Sequence, residues 1–416
     1  MRFLLGPVFY GWVIVAVAFV TMAIGVNART AFSLLFPPIV DEFGWDRAAT
    51  AGAFSFGFLV TAVLSPLLGR LMDRAGARLV IELGVLVMAI GFVLAAYLSA
   101  PWQLYATLGV LVGGGSVCLS YTGQACYLPN WFVRRRGFAM SVAFAGVGVG
   151  SIVLFPLLQR YMDAAGWRAA CVALGVIVLV VLAPLNLLVR TRPQEIGLYP
   201  DGDPTPPRLA APNAPRGGDW TLAAALGTAP FWWCALGYAC ALFAWYAVQV
   251  HQTRYLVEIG YSGQYAAWAL GFVSLAGVPG QIALGHLSDR VGREWVWTIG
   301  NLGFAICYAA LLAMRHVASP ALLWLMVLAQ GFLGYGLTSV IGAIPAAHFH
   351  GPHYGAIFGT IMGIGIAGGA LGPWATGLAY DLSGSYAPGF AAALGCCALS
   401  VICIWVIRPR AAHMRA

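Results

Sequence analysis

The chain has 416 residues, of which 61% are hydrophobic and 9% charged, and its formal net charge is +8. Ordinary soluble domains carry about 25% charged residues, so the composition excludes a soluble globule. The positive charge is typical of basic loops at a lipid surface and does not indicate a nucleic-acid partner. The sequence predicts no cofactor, no metal site and no enzymatic activity, because no nucleophile-and-base pair or metal-ligand constellation can be found in it.

Twelve apolar runs are each about 20 residues long, the length that crosses the hydrocarbon core of a bilayer. In lipid the backbone must satisfy its own hydrogen bonds, so such continuous runs favour helices over a barrel. The approximate limits of the runs are 10–35, 50–69, 79–98, 103–126, 138–158, 169–189, 230–251, 264–284, 295–314, 320–345, 355–379 and 388–407.

A charged segment occurs twice, each time between two apolar runs. Residues 69–78 and 285–294 both follow the pattern Gly-x-Leu-x-Asp-Arg-x-Gly, and they begin 285 − 69 = 216 positions apart, about half the chain. The duplication predicts an all-α membrane protein of two pseudo-symmetric six-helix bundles, residues 1–189 and 221–416. Proline and glycine crowd residues 190–220 between them, which predicts a linker on the cytoplasmic side.

This repeated motif resembles the loops between helices two and three, and eight and nine, of the major facilitator superfamily of secondary transporters. The resemblance implies transport by alternating access around a cavity at the membrane midplane. It also implies that the loop aspartate and arginine stabilise one of the two access states. The gating residues carried over by position are Gly69, Asp73, Arg74, Gly76, Gly285, Asp289, Arg290 and Gly292.

Three further stretches resemble bacterial relatives of the monocarboxylate and oxalate/formate transporter branch: residues 10–12, 36–45 and 131–137. This narrower resemblance implies a monocarboxylate transporter-like protein, and the resemblance to the superfamily implies a monomer. An arginine of the eighth helix binds the substrate carboxylate in that branch, whereas this sequence has Val278 at the corresponding place. The substrate therefore stays open at this point.

The basic residues, all 22 of them arginine, predict the orientation of the chain. Most lie in loops on the side of the N-terminus. Because cytoplasmic loops carry the excess of basic residues, both termini are predicted to be cytoplasmic. The predicted location is the bacterial inner membrane, which the chain crosses many times.

Arg29 lies late in the first apolar run, where a charge is costly unless it is paired or faces water. All fourteen acidic residues fall in loops or near the ends of runs. A guanidinium matches a carboxylate through two parallel hydrogen bonds, so one hypothesis is that Arg29 binds an anionic substrate. The alternative is that Arg29 reaches the outer headgroups or backbone carbonyls.

Other polar residues lie on the first, fourth, seventh and tenth runs, which the resemblance places around the cavity. The spacing of Tyr121 and Gln124, like that of Tyr246 and Gln249, puts each pair on one helix face. Polar contacts between helices are the alternative role for each residue. The substrate-binding candidates are Arg29, Asn27, Tyr121, Gln124, Tyr246, Gln249, Tyr335 and Ser339.

His251 ends the seventh run and is the candidate for proton coupling, since histidine titrates in the physiological range. An interfacial, structural role is the alternative. His348, His350 and His353 share one short loop, where solvated histidines are expected in preference to a zinc site.

The predicted function is secondary transport of a small organic anion, with a carboxylate as the leading substrate, by proton coupling or anion exchange. One alternative is export of an amphipathic or neutral compound, which the aromatic content of 13% favours. An alternative of another class is a membrane sensor that binds without transporting.

Overall fold

The computed structural model describes residues 9–45, 47–203, 220–317, 319–349 and 351–408. These residues contain no strand, and eleven of their helices are long and apolar enough to cross a membrane. The prediction of an all-α membrane protein is therefore confirmed. The chain divides into two compact units, Met1–Gly218 with Pro352–Gly363, and Asp219–Gly351 with Ile364–Ala416.

The first unit contains the helices of the N-terminal half. Its fourth crossing combines short α-helices with a π-helix and a 3₁₀ turn. The elements are α1 Tyr10–Thr30, α2 Phe32–Phe43, α3 Arg47–Ala75, α4 Ala77–Ala95, α5 Pro101–Leu104, a π-helix Tyr105–Val112, α6 Gly113–Leu119, α7 Tyr121–Tyr127, a 3₁₀ turn Leu128–Asn130, α8 Arg136–Ile177, a π-helix Val178–Leu182, α9 Ala183–Asn186, and 3₁₀ turns Pro193–Ile196 and Pro200–Gly202.

The second unit contains the remaining helices, except that the first ten residues of α17 belong to the first unit. Its elements are α10 Leu222–Leu226, α11 Ala229–Glu258, α12 Gly263–Val291, α13 Arg293–Met314, α14 Pro320–Leu328, a π-helix Ala329–Gly334, α15 Gly336–Val340, α16 Ala343–His348, α17 Tyr354–Ser383 and α18 Ala387–Val406.

The stretch Arg136–Asn186 is helical over 51 residues. At 1.5 Å per residue an unbroken helix of that length would be about 77 Å long, more than twice the hydrocarbon thickness. Gly166 interrupts it with a φ of 84°, a conformation that glycine adopts without strain. The runs predicted at 138–158 and 169–189 lie on either side of this break, and counting them separately gives twelve crossings.

Glycines repeat the same helix contact in the two units. A Cβ on Gly146 or Gly150 of α8 would lie 2.1 Å from the carbonyl oxygen of Phe19 or 2.3 Å from that of Ala23, both on α1. Two glycines four residues apart thus allow the two backbones to touch.

The second unit has the matching pair on α17. A Cβ on Gly368 would lie 2.5 Å from the carbonyl oxygen of Ala239, and one on Gly372 would lie 2.3 Å from that of Phe243, both on α11. The first and fifth helices of each half therefore pack through the same four-residue glycine spacing, which is the internal repeat seen at the level of packing.

Glu42, near the end of α2, ties that helix to α8. Its Oε2 accepts hydrogen bonds from Trp167 Nε1 at 2.7 Å and from Arg168 at 2.6 Å. The Arg168 guanidinium also lies over the Trp167 ring, 4.4 Å from its centre. The bond from Arg168, followed by that from Trp167, lowers the pKa of Glu42 below its ordinary value of 4.5.

We expect Glu42→Gln to lower the thermal midpoint of the purified protein slightly at pH 7. A carboxyl whose pKa is lower in the folded than in the unfolded chain stabilises the fold above the unfolded pKa. That stabilisation is lost as pH falls through the lowered folded value, so the variant and the parent should converge in acid. Melting curves at pH 7 and below pH 4.5 check this.

Asp163→Asn is the control, because Asp163 accepts a bond from the neutral Gln159 on the same helix and has no arginine in that contact. A destabilisation by Glu42→Gln that stayed the same at both pH values would contradict the electrostatic explanation.

Candidate functional site

The first copy of the repeated motif forms a helix cap within the first unit. Asp73 lies in the last turn of α3, and its two carboxylate oxygens accept the backbone N–H groups of Gly355 and Ala356 at 2.8 and 2.7 Å. Both amides belong to the first turn of α17, whose N–H groups have no acceptor within the helix. A carboxylate at this position also interacts favourably with the positive end of the helix dipole.

The motif glycines fit this contact. A Cβ on Gly69 would lie 1.8 Å from the carbonyl oxygen of Gly355, so only glycine allows α3 and α17 to approach so closely here. Gly76 separates α3 from α4 with a φ of 82°. Arg74 is exposed.

The second copy has the same backbone shape in the second unit. Gly292 separates α12 from α13 with a φ of 102°, as Gly76 does after α3. Gly285 is buried and its carbonyl oxygen accepts the Ser288 hydroxyl at 2.7 Å. Asp289 is half-buried and Arg290 exposed. Each motif therefore ends a crossing and turns the chain at its final glycine.

Arg29 lies at the end of α1, against two aromatic rings of α3. Its guanidinium carbon is 4.1 Å from the centre of the Phe58 ring and 5.7 Å from that of Phe54. A cavity of about 10 Å³ adjoins it, with Phe92 and Leu108 in its wall. That volume corresponds to about one water molecule, so a permanent cation and a small cavity lie together inside the first unit.

Asn27 joins α1 to α8. Its side chain is 2% exposed, and its amide nitrogen donates to the carbonyl oxygens of Ala23 and Val147, each at 2.8 Å. Both donors of the amide are used in these bonds. The contact therefore matches the interhelical role that the sequence left open beside substrate binding.

Gln124 and Tyr121 occupy different surroundings on α7. Gln124 is fully buried and its Oε1 accepts the Tyr127 hydroxyl at 2.5 Å. The ring of Tyr121 packs edge-on against Phe144 of α8 at 5.0 Å between centres. The Gln124 contact to Tyr127 was not expected from the sequence, although the three-residue spacing of the two residues is visible there.

The candidates of the second unit gather around Trp245 of α11. Its ring nitrogen donates to Gln249 Oε1 at 2.8 Å, and its ring lies 4.7 Å from that of Tyr335 between centres. The Tyr335 and Ser274 side chains are hydrogen-bonded. Trp245 and Ser274 were not among the predicted residues, yet they complete a polar and aromatic cluster on the seventh, eighth and tenth crossings.

Two further candidates of the second unit have contacts of their own. The Tyr246 ring packs against α17, where a Cβ on Gly369 would lie 2.6 Å from it. Ser339 is fully buried and donates to the carbonyl oxygen of Gln281 at 2.8 Å. Ser339 thus contributes a contact between helices.

His251 lies near the C-terminal end of α11. Its Nε2 donates to the carbonyl oxygen of Pro373 in α17 at 2.9 Å, and its ring centre is 5.3 Å from that of Tyr386. Burial, followed by the nearby Glu258 carboxylate, raises the pKa of Tyr386. Glu258 also accepts a bond from Arg254 at 2.9 Å. A titratable side chain therefore contacts the backbone at the proline of α17.

The histidines of the short loop have separate contacts. His348 bonds through its two ring nitrogens to the carbonyl oxygens of Ile344 and Ile407. His350 lies outside the described residues. Within the described part of the chain, no group of three or more metal-ligating side chains is close enough to hold an ion.

The chain is an integral membrane protein that crosses the bilayer many times. This follows from its many long apolar helices, its two loops of one pattern and the glycine contact that both units repeat. A model of the Major Facilitator Superfamily matches residues 13–341 and 236–416. The chain belongs to that superfamily, which consists of transporters. The predictions of family and of a non-enzymatic transporter are confirmed.

Named relatives and solved structures agree with this assignment. "Monocarboxylate transporter 11" of Homo sapiens is 29% identical over 422 residues, covering 97% of this chain and 83% of the relative. "Monocarboxylate transporter 13" of Rattus norvegicus is 27% identical over 390 residues, covering 92% of this chain and 86% of the relative. The narrower resemblance to monocarboxylate transporters is confirmed by these similarities.

Two solved structures show the same fold. The human organic anion transporter MFSD10 superposes with a TM-score of 0.71 at 16% identity, covering 95% of this chain and 99% of that one. The E. coli Fucose:proton symporter FucP gives a TM-score of 0.70 at 16% identity, covering 95% and 98%. These two similarities concern the fold, and the transporter relatives imply a small-molecule substrate.

We expect Gly69→Ala to weaken the contact between α3 and α17. The added methyl group would overlap the Gly355 carbonyl oxygen, and overpacking of this kind costs roughly 1–3 kcal/mol. The variant should melt earlier and should exchange the amide hydrogens of Gly355 and Ala356 faster, as measured by hydrogen–deuterium exchange.

Gly271→Ala is the matched control, since no atom lies within 4 Å of a Cβ at that helical position. It should leave both measurements unchanged. Equal effects of the two substitutions would show that the close approach at Gly69 is not what determines the result.

Proposed function

We propose that this transporter moves a small organic anion, with a carboxylate as the leading substrate. Arg29 is the observation that carries the proposal, because it places a permanent cation beside a cavity within an apolar crossing. Intramembrane charges of this kind are costly and commonly mark a substrate path. The relatives include proteins named as monocarboxylate transporters, which supports the same substrate class.

The aromatic rings beside Arg29 offer its guanidinium a contact when no substrate is bound. In a desolvated site a cation over a ring face is stabilised by about 2 kcal/mol. We propose that Arg29 rests on Phe58 and exchanges part of this contact for the carboxylate when substrate binds. The planar guanidinium can present its edge to the anion while its face remains on the ring.

We also propose a gating role for the two repeated loops. In this mechanism the Asp73 cap on α17 holds one access state and breaks in the other. Both termini and the motif loops are assigned to the cytoplasmic face of a bacterial inner membrane, as the arginine distribution favours. Residues 1–189 and 221–416 act as the two bundles, with 190–220 as the linker, and the protein works as a monomer.

Coupling to protons or to a second anion completes the proposal. His251 is the candidate for the proton, because its ring contacts the carbonyl of Pro373 in the break-prone part of α17. Proline removes one backbone hydrogen bond from a helix and favours a bend. A change in the charge of His251 would therefore act on a helix that is already weakened.

Export of an amphipathic or neutral compound is the second candidate. The cluster of Trp245, Tyr335 and Gln249 favours it, since this part of the second unit offers rings and neutral polar groups. Val278 in place of the arginine of the eighth helix favours it too. An uptake assay that compares carboxylates with neutral aromatic compounds distinguishes the two.

We expect Arg29→Gln to reduce carboxylate uptake into proteoliposomes at least tenfold, equivalent to about 1.4 kcal/mol of lost binding. Arg29→Lys keeps the charge but loses the two parallel hydrogen bonds, so its carboxylate uptake should lie between that of Arg29→Gln and that of the parent. Labelled small carboxylates under an inward pH gradient provide the measurement. Phe58→Leu tests the ring contact separately.

The anion role would be wrong if Arg29→Gln lowered the melting temperature but left the substrate KM and the transport rate unchanged. That result would assign Arg29 to packing on Phe58. If the parent protein moved no carboxylate under any gradient, the second candidate function would take its place.

We expect His251→Gln to abolish accumulation driven by a pH gradient while substrate exchange across the membrane continues. Glutamine retains a donor for the Pro373 carbonyl but takes up no proton in this range. His348→Gln is the control, since His348 also bonds backbone carbonyls. Unchanged accumulation by His251→Gln would remove His251 from the coupling mechanism.

A further inference from the structure

Residues 190–203, which begin the linker, are folded onto the first unit, and we call this segment the clasp. At its start the ring nitrogen of Trp131 donates to the carbonyl oxygen of Arg190 at 3.0 Å. The amide of Asn130 donates to the carbonyl oxygen of Thr191 at 3.1 Å. Two neighbouring carbonyls of the clasp are thus fixed to the turn that follows α7.

Asp201 fixes the other end of the clasp to the same turn. Its Oδ2 accepts the backbone N–H groups of Val133 and Arg134 at 3.1 and 3.0 Å, and its own N–H donates to the carbonyl of Trp131 at 3.0 Å. The Arg134 guanidinium pairs with Asp203 at 2.6 Å. Asp201 has a φ of 59°, the only positive value at a non-glycine among the described residues. Aspartate tolerates that conformation better than most residues.

Between these ends, the clasp reaches the motif loop that carries Asp73. The Thr191 hydroxyl accepts the N–H of Ala77, the first residue of α4, at 2.8 Å. The preceding residue, Gly76, has no side chain with which to cap this helix. Thr191 therefore supplies from the linker the cap that the motif glycine cannot provide.

The next clasp residue, Arg192, lies in the neighbourhood of the helix cap. Arg192 is exposed and lies close enough for its positive charge to act on the Asp73 carboxylate, as does His353, the residue before α17. The Arg192 backbone N–H donates to Glu195 Oε1 at 3.1 Å, which closes a turn around it. One short segment thus bonds the turn after α7 and the start of α4, and it places the charge of Arg192 near Asp73.

We propose that the clasp positions the Asp73 carboxylate against the first turn of α17, with Thr191 and Asp201 as its two positioning residues. Its hydrogen-bond partners named above all belong to the first unit. The clasp therefore moves with the motif loop and determines how firmly the loop can hold α17. This inference rests on the proposed gating role of Asp73 and extends it to the linker.

Hydrogen–deuterium exchange of the purified full chain tests the clasp without a transport assay. Thr191→Val removes the hydroxyl acceptor at nearly constant shape, and Asp201→Ala removes the other attachment. We expect Thr191→Val to speed exchange in residues 77–80 and Asp201→Ala to do so in 131–136. Both should also speed exchange in 353–357 by roughly threefold or more, because the α17 cap loosens with the clasp.

Three further variants make the result specific. Thr191→Ser keeps the hydroxyl and loses the methyl group, so its amides should exchange at the rate of the parent. If the methyl group alone were important, Thr191→Ser would exchange faster than the parent. Asp201→Asn keeps one acceptor oxygen and should have a smaller effect than Asp201→Ala. Thr221→Val removes a threonine cap from α10 in the second unit and should leave 353–357 unchanged.

Faster exchange at 77–80 and 131–136 with no change at 353–357 would overturn the clasp as a positioning device. Asp73→Asn separates this failure from that of the gate. If Asp73→Asn speeds exchange at 353–357 and the clasp variants do not, Asp73 caps α17 but the clasp does not position it. If Asp73→Asn leaves these amides unchanged, the cap itself and the inference that rests on it both fail.

Discussion

The absence of water from the hydrocarbon core is the constraint on which the rest of this structure depends. A backbone N–H or C=O without a partner there costs several kcal/mol, and helices satisfy these groups along their length. Their ends are not satisfied in this way, and the first turn of α17 obtains its acceptors from Asp73. Buried amides follow the same logic, as Asn27 shows by donating both of its protons to backbone carbonyls.

The two units meet this constraint with the same design and different residues. In each, the first helix packs on the fifth through glycines four residues apart, and a side chain of the first helix bonds a carbonyl of the fifth. In the first unit that side chain is Asn27, bonded to Val147; in the second it is His251, bonded to Pro373. The asparagine side chain is a neutral amide, whereas the histidine side chain is an ionisable imidazole. A duplicated scaffold thus carries a titratable contact in one copy only.

Hydropathy and the repeated motif were sufficient to predict the helical class, the superfamily and the approximate crossings. Helix period and length are local properties, so they can be read from one stretch of sequence at a time. The positions at which the helices are interrupted were harder to predict. The run predicted at 10–35 is divided at Ala31. The runs predicted at 138–158 and 169–189 belong to one helical stretch that is interrupted only at Gly166. One residue with a positive φ replaces the loop that a composition pattern would show.

The candidate site was less predictable, because the sequence gives the face of a helix but not its neighbour. Arg29 was expected at an anion, at headgroups or at carbonyls, and its contacts include the Phe58 ring of another helix. The segment 190–220 was predicted as a linker from its prolines and glycines, yet its first residues bond to two parts of the first unit, the turn after α7 and the start of α4. Thr191 and Asp201 have no hydropathy signature, since their roles arise from partners more than 60 positions away.

In the proposed mechanism, the strength of the Asp73 cap has to suit a protein that visits two states. Alternating access requires states that differ by only a few kcal/mol, since a larger gap would leave one of them unpopulated. A carboxylate at a helix N-terminus contributes about 0.3–2 kcal/mol, and a charge-assisted hydrogen bond about 1.5–3 kcal/mol. A substrate that binds one state more tightly by a similar amount can therefore shift the balance. In the proposed mechanism the cap is strong enough to hold one state and weak enough for a single bound anion to release it.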